Sequence, residues 1–189
     1  MGTLFVDKLD PQSGTSLEIG SSGDTMTVPS GATFNVAGTL QSGGVSVANS
    51  PAFLMQKSSA QTITQNSTTK LTFGNEIYNT GAFASDKFTV PSGQAGKYIF
   101  YLNAMIMNLT ADAYIQLYLY KNGSEYQSVP VAINYNNPAT SDGWASYTIS
   151  VNASVSDYFE SYVRHNATAS KDTGTKNRCY FGGFKLIGI

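Results

Sequence analysis

Residues 97–107 read Lys-Tyr-Ile-Phe-Tyr-Leu-Asn-Ala-Met-Ile-Met, and their apolar positions form two interleaved sets. Side chains alternate between the two faces of an extended strand. Tyr98, Phe100, Leu102, Ala104 and Ile106 therefore share one side, and Ile99, Tyr101, Met105 and Met107 share the other. A strand that is apolar on both sides must be covered on both. In a two-layer sandwich the facing sheet covers only one. The second side predicts further cover, and a partner subunit is the simplest source. Residues 113–120 alternate more simply: Ile115, Leu117 and Leu119 point one way, and Tyr114, Gln116, Tyr118 and Tyr120 the other. The Asn122-Gly123 pair that follows is a hairpin-turn signal. Ile63, Leu71 and Phe73 lie in similar alternating stretches, and further strands are expected at 145–151, 158–163 and 179–187. No segment repeats its apolar residues at a helical period, so no long helix is expected. About eight to ten short strands with regular turns predict an all-β sandwich or barrel.

Residues 1–50 follow another pattern. Their only aromatic residues are Phe5 and Phe34. Met26 and Val28 alternate with Thr, Pro29-Ser30-Gly31 turns the chain, Phe34 and Val36 repeat the alternation, and Gly38 turns it again before Leu40. This predicts very short strands separated by bends. Such strands bury little alone, so they call for partner chains or a neighbouring protein. The chain thus divides into an extended β-rich N-terminal arm (1–41), a Gly/Ser linker (42–50) and a head (51–189).

Composition narrows the function. Charged residues are 12% of the chain, against a usual ~25%. A net charge of −1 leaves no electrostatic footprint for nucleic acid. No apolar run is long enough for a membrane-spanning helix. The opening ten residues carry charges at 7, 8 and 10 and no apolar stretch, so no secretion signal is expected. The surface chemistry, rich in hydroxyls and amides, nonetheless resembles that of extracellular proteins. A virion released by lysis reconciles the two.

Four segments, in order, resemble the C1q-like branch of the TNF-like family. They are Phe88-Thr-Val-Pro91 with Gly96-Lys-Tyr98-Ile-Phe100, Leu117-Tyr-Leu-Tyr-Lys-Asn-Gly123, Val155-Ser-Asp-Tyr-Phe159, and Phe181-Gly-Gly-Phe-Lys-Leu186. Two departures stand. Four residues separate Pro91 from Gly96 where the family usually has two, and Ser156 replaces the usual Gly. The resemblance implies a jelly-roll sandwich that assembles as a homotrimer, with Ile99, Tyr101, Tyr158 and Tyr162 at the trimer interface. The opening around Leu9-Asp-Pro-Gln-Ser-Gly14 is similar to the starts of short fibre-type proteins of marine tailed phages, which join such an arm to a C1q-like head.

Candidate chemistry is sparse. His165 is the only histidine, and its Asn-rich surroundings predict a loop. Cys179, the only cysteine, is expected to be a buried strand residue. Asp112, Asp142 and Asp172 are expected to be solvated carboxylates rather than calcium ligands. No nucleophile elbow or phosphate-binding loop occurs. The expected function is therefore non-catalytic, without cofactor or metal. It is a trimeric bacteriophage structural protein (fibre, tail tip or decoration knob) located in the virion. Its partners would be itself, another virion protein through the arm, and a host-surface glycan or protein, without nucleic acid or membrane insertion. The alternative is a secreted C1q-like module that binds a glycan or protein.

Overall fold

The computed structural model describes residues 9, 11, 13–42, 45–46, 50–110, 112–131 and 141–187. The chain divides into two units, Met1–Gly38 and Thr39–Ile189. In the first unit the expected turns are present and the expected strands are not. The Asp24 amide donates to the Ser21 carbonyl and the Ala32 amide to the Pro29 carbonyl, each at 3.0 Å. Residues 25–40 form no strand. Alternation alone supplies no ladder partner, and among the described residues this unit contains none.

The second unit is all-β. Its strands are β1 (Gln41–Ser42), β2 (Val45–Ser46), β3 (Ala52–Lys57), β4 (Thr62–Ile63), β5 (Thr69–Lys70), β6 (Asn75–Asn79), β7 (Phe83–Ala84), β8 (Lys87–Thr89), β9 (Gly96–Leu109), β10 (Ile115–Lys121), β11 (Ser124–Val131), β12 (Ser141–Ala153), β13 (Tyr158–His165), β14 (Lys171–Asp172) and β15 (Lys176–Lys185). β1 and β2 pair across the boundary between the expected arm, which ends at Gln41, and the expected linker. Two antiparallel sheets make the sandwich: β12-β9-β15-β3-β6, and β11-β10-β13-β8-β7 with β5 also on β13.

The core forms where the apolar sides of the two sheets meet. Tyr98, Phe100, Leu102, Ala104 and Ile106 are fully buried, as their alternation predicts. Phe100 of the first sheet meets Phe159 of the second at 4.6 Å between ring centroids, and Phe53 meets Phe88 at 5.0 Å. These rings span the sandwich, and burying each is worth about 1.5–3 kcal/mol.

The two glycines of Phe181-Gly-Gly-Phe184 have steric reasons. A Cβ on Gly183 would meet the Phe100 ring, and one on Gly182 would meet the Tyr101 ring. Consecutive positions on β15 thus make room for rings on opposite faces of the sheet.

Both departures from the family pattern settle locally. In the longer loop before Gly96 the Gln94 amide turns back to the Pro91 carbonyl at 3.1 Å. The Gln94 carbonyl accepts from the buried Tyr98 hydroxyl at 2.6 Å, and its side-chain oxygen accepts from Lys185 at 3.1 Å. Ser156 adopts φ +70°, the region glycine prefers. The Asn122-Gly123 turn is also left-handed, at φ 54° and 79°. It is tied to the next motif, because Asn122 donates to Asp157 at 2.8 Å and accepts from the Tyr158 amide at 2.9 Å. Burial pushes the Asp157 carboxyl up, but hydrogen bonds from Lys121, Asn122 and the Ser154 amide, with the Lys121 charge, hold it at about 2.

Three expectations need correction. His165 does not lie in a loop; it ends β13, fully buried. Its Nε2 sits 3.0 Å from the Ile63 carbonyl as donor, and Nδ1 accepts from the Ala167 amide at 3.2 Å. Burial depresses its pKa and so holds the ring neutral; Lys171 acts the same way, against the Ile63 hydrogen bond. The second side of β9 is also covered differently from expectation at Met105. Its cover there comes from the same chain: Met105 is fully buried, and Gly174 sits beside its sulfur and the Arg178 side chain. The Thr173 bridge to Ile106 and the Gly174 amide bond to the Met105 carbonyl at 2.9 Å hold this segment against β9. The third correction, the absence of arm strands, is given above.

Candidate functional site

The structure separates the four residues expected at one interface. Ile99 and Tyr101 lie on β9, in the first sheet, on the face turned away from the core. Tyr158 and Tyr162 lie on β13, in the second sheet. Their buried neighbours Phe159, Ser161 and Val163 line the core, so both tyrosines point away from the first sheet. They do not share a face with Ile99 and Tyr101. Alternation correctly gives the side of each strand; it does not give the sheet to which a strand belongs.

The ladder registers build the outer face of the first sheet. Tyr101 stands opposite Thr148 on β12 and Gly182 on β15, Gly182 stands opposite Leu54 on β3, and Leu54 opposite Tyr78 on β6. The Tyr101 ring lies over the space Gly182 leaves. Its hydroxyl shares a 2.8 Å hydrogen bond with that of Tyr78, and its ring centroid is 6.2 Å from that of Tyr180. Burial, then the bond to Tyr78, raises the Tyr101 pKa, so the hydroxyl stays neutral. Ile99 stands between Ser150 and Phe184. The direct ladder partners of Ile99, Tyr101, Asn103 and Met105 on this side are uncharged, while the exposed Lys97 and Arg178 mark its two ends. Trp144, beside Met105, is 43% exposed. Depletion of charge and enrichment in aromatic residues mark the core of a protein interface.

The outer face of the second sheet is built from different chemistry. Tyr120 and Tyr162 stack at 4.0 Å, Glu160 pairs with Lys70 at 2.7 Å, and Lys87 lies 4.7 Å from the centre of the Tyr158 ring. Glu160 and Lys87 are thus met within the chain, whereas Arg164 on the same face keeps a buried Nε without a hydrogen-bond partner among the described residues.

The remaining reactive groups among the described residues lie apart from one another and are held by local contacts. Cys179 is buried, receives a hydrogen bond from the Met105 amide at 3.2 Å, and has its thiol pKa pushed up by burial. Asp142 accepts from the Asn108 amide at 3.1 Å and Asp172 from the Thr62 hydroxyl at 2.6 Å. Asp112 is exposed. Among the described residues no three His, Cys, Asp or Glu side chains converge as metal ligands. Lys57 has no counterpart in the sequence reading. It is 1% exposed, with its ammonium held by Gln61 at 2.7 Å and the Thr72 carbonyl at 2.8 Å. Nothing in the apolar pattern signals it.

No family profile matches the chain, and no curated protein matches it by sequence. Solved structures do resemble it. The structure of Eiger TNF from S. frugiperda superposes with a TM-score of 0.55 at 10% identity, covering 73% of this chain and 93% of that one. The globular domain of zebrafish complement 1qA protein superposes with a TM-score of 0.51 at 16% identity, covering 72% of this chain and 97% of that one. The head therefore has a C1q/TNF-like fold.

Proposed function

We propose that this chain is a non-catalytic structural protein of a bacteriophage particle, a fibre, tail tip or decoration knob, whose head trimerises through the aromatic face centred on Tyr101. That face carries the reading. An outer sheet surface with Ile99, Tyr101, Phe184, Tyr180 and Trp144, whose direct ladder neighbours are uncharged and whose charges Lys97 and Arg178 lie at its ends, is suited to burial against other copies. The phage setting is supported by the arm's resemblance to fibre-type openings and by low-charge surface chemistry suited to a particle outside the cell. In this reading the arm joins the head to another virion protein, and loops at the far end contact a host-surface glycan or protein. Three linked copies would raise weak contacts to useful avidity.

The likeness to a C1q globular domain favours a second reading, a secreted binding module for a glycan or protein. The assembly test is light scattering on the full chain. About three chains per particle are expected, and Tyr101→Asp should reduce this to one. A wild-type monomer at micromolar concentration overturns the proposal. Immunolabelling of intact particles separates the two settings, since only a virion protein decorates them.

A further inference from the structure

The arm contains a repeat that the fold of a single chain leaves unused. Gly14-Thr-Ser-Leu17-Glu-Ile19, Gly23-Asp-Thr-Met26-Thr-Val28 and Gly31-Ala-Thr-Phe34-Asn-Val36 share one pattern: glycine, any residue, Ser or Thr, apolar, polar, apolar. The three glycines have φ of +80°, +93° and +85°. A Cβ added at any of them would meet nothing within 4 Å. These glycines therefore serve the backbone bend rather than a close contact. Each bend is followed by two apolar residues one position apart, the spacing that places them on one side of an extended stretch. All six of those side chains are at least 36% exposed, and Ile19 reaches 66%.

A regular repeat whose units each show an apolar side buries it by stacking like units together. Within one chain these units do not cover one another. An unlike partner would not require the same turn and the same apolar pair three times in succession. Parallel copies in register would bring identical residues to the same level and give each stretch the ladder partner it lacks.

We infer that residues 14–36 form a self-assembling shaft, in which the Leu17/Ile19, Met26/Val28 and Phe34/Val36 pairs of adjacent copies pack in successive layers. The occupant of the apolar stripe is a second and third copy of this chain. This rests on the multi-copy reading above and specifies how the arm takes part in it.

The test uses the full chain. Cys179 is buried, so a cysteine placed in the arm is the accessible thiol. With oxidised glutathione, Val28→Cys is expected to give disulfide-linked pairs on a non-reducing gel. Thr27→Cys, on the other side of the same stretch, is expected to stay uncrosslinked. Gly31→Val should abolish the Val28→Cys crosslink, and Gly31→Asn, which tolerates positive φ, should restore part of it. If the chain is trimeric but the two thiols crosslink alike or not at all, the shaft is overturned, the head interface stands, and the stripe belongs to an unlike partner. If Tyr101→Asp leaves the trimer intact while Gly31→Val dissolves it, the shaft stands and the head interface is overturned. A monomeric wild-type chain overturns both.

Discussion

The two outward faces of the sandwich have similar numbers of rings but opposite chemistry. On the first sheet the rings of Tyr101, Tyr180 and Phe184 lie among Thr, Ser, Gly and Leu, and the Tyr101 hydroxyl bonds to that of Tyr78. On the second sheet Tyr120 and Tyr162 are framed by Glu160, Lys70 and Lys87. An aromatic surface framed by paired charges is already satisfied in water. An aromatic surface without them gains from losing water. Counting tyrosines does not distinguish the faces; the residues between them do.

The strongest way to break this comparison is a charge on each face. Tyr101→Asp is expected to abolish assembly, since a central interface residue is worth ~2 kcal/mol or more per copy. Tyr162→Asp should leave the assembly unchanged. Analytical ultracentrifugation of both variants decides it, and equal effects would remove the distinction.

Gly182→Ala probes the same face with a small change. The added methyl meets the Tyr101 ring, and overpacking of this kind costs about 1–3 kcal/mol. Chemical denaturation should show that loss, with a weaker trimer because the ring must move.

Acid should act on the second sheet in two windows. Folded His165 resists protonation, whereas the unfolded chain accepts the proton near pH ~6.5. Its contribution is therefore full above that value and drains as pH falls below it. Asp157, held at about 2, contributes above its unfolded value near ~3.9 and loses that contribution as pH falls through about 2. Melting curves from pH 8 to 2 should show both steps. His165→Gln should remove the upper one and Asp157→Asn the lower.

The smallest effect is expected from Glu160→Gln. Its pair with Lys70 is partly exposed, and such pairs are worth at most about 1 kcal/mol.

Much of the head was legible because alternation is a local property. The buried side of β9 follows from its sequence, and so does the buried side of β10. The turn at Asn122-Gly123 is legible for the same reason. What the sequence could not show depends on contacts between distant segments. Whether Tyr158 lies on the same sheet as Tyr101 is decided by the partner of β13, which is β10 rather than β9. The cover over Met105 comes from residues around 174, held to β9 by the single Ile106–Thr173 bridge, which has no composition signal. His165 looked like a loop residue because its neighbours are polar; its ring is buried because the Ile63 carbonyl and the Ala167 amide satisfy both nitrogens. In the arm, the glycines marked the bends correctly, while strands require a ladder partner that a lone chain does not provide.

The adjacent glycines of β15 also bear on how the last strand finds its alignment. β15 joins the sheet between β9 and β3, which precede it by many residues in the chain. If it zipped up one position out of place, Phe181 or Phe184 would arrive where the Phe100 or Tyr101 ring already stands. The native alignment sets both rings into the hollows, and a slip of one position in either direction drives a Phe side chain against one of them. Two residues without side chains thereby act as the notches of a key.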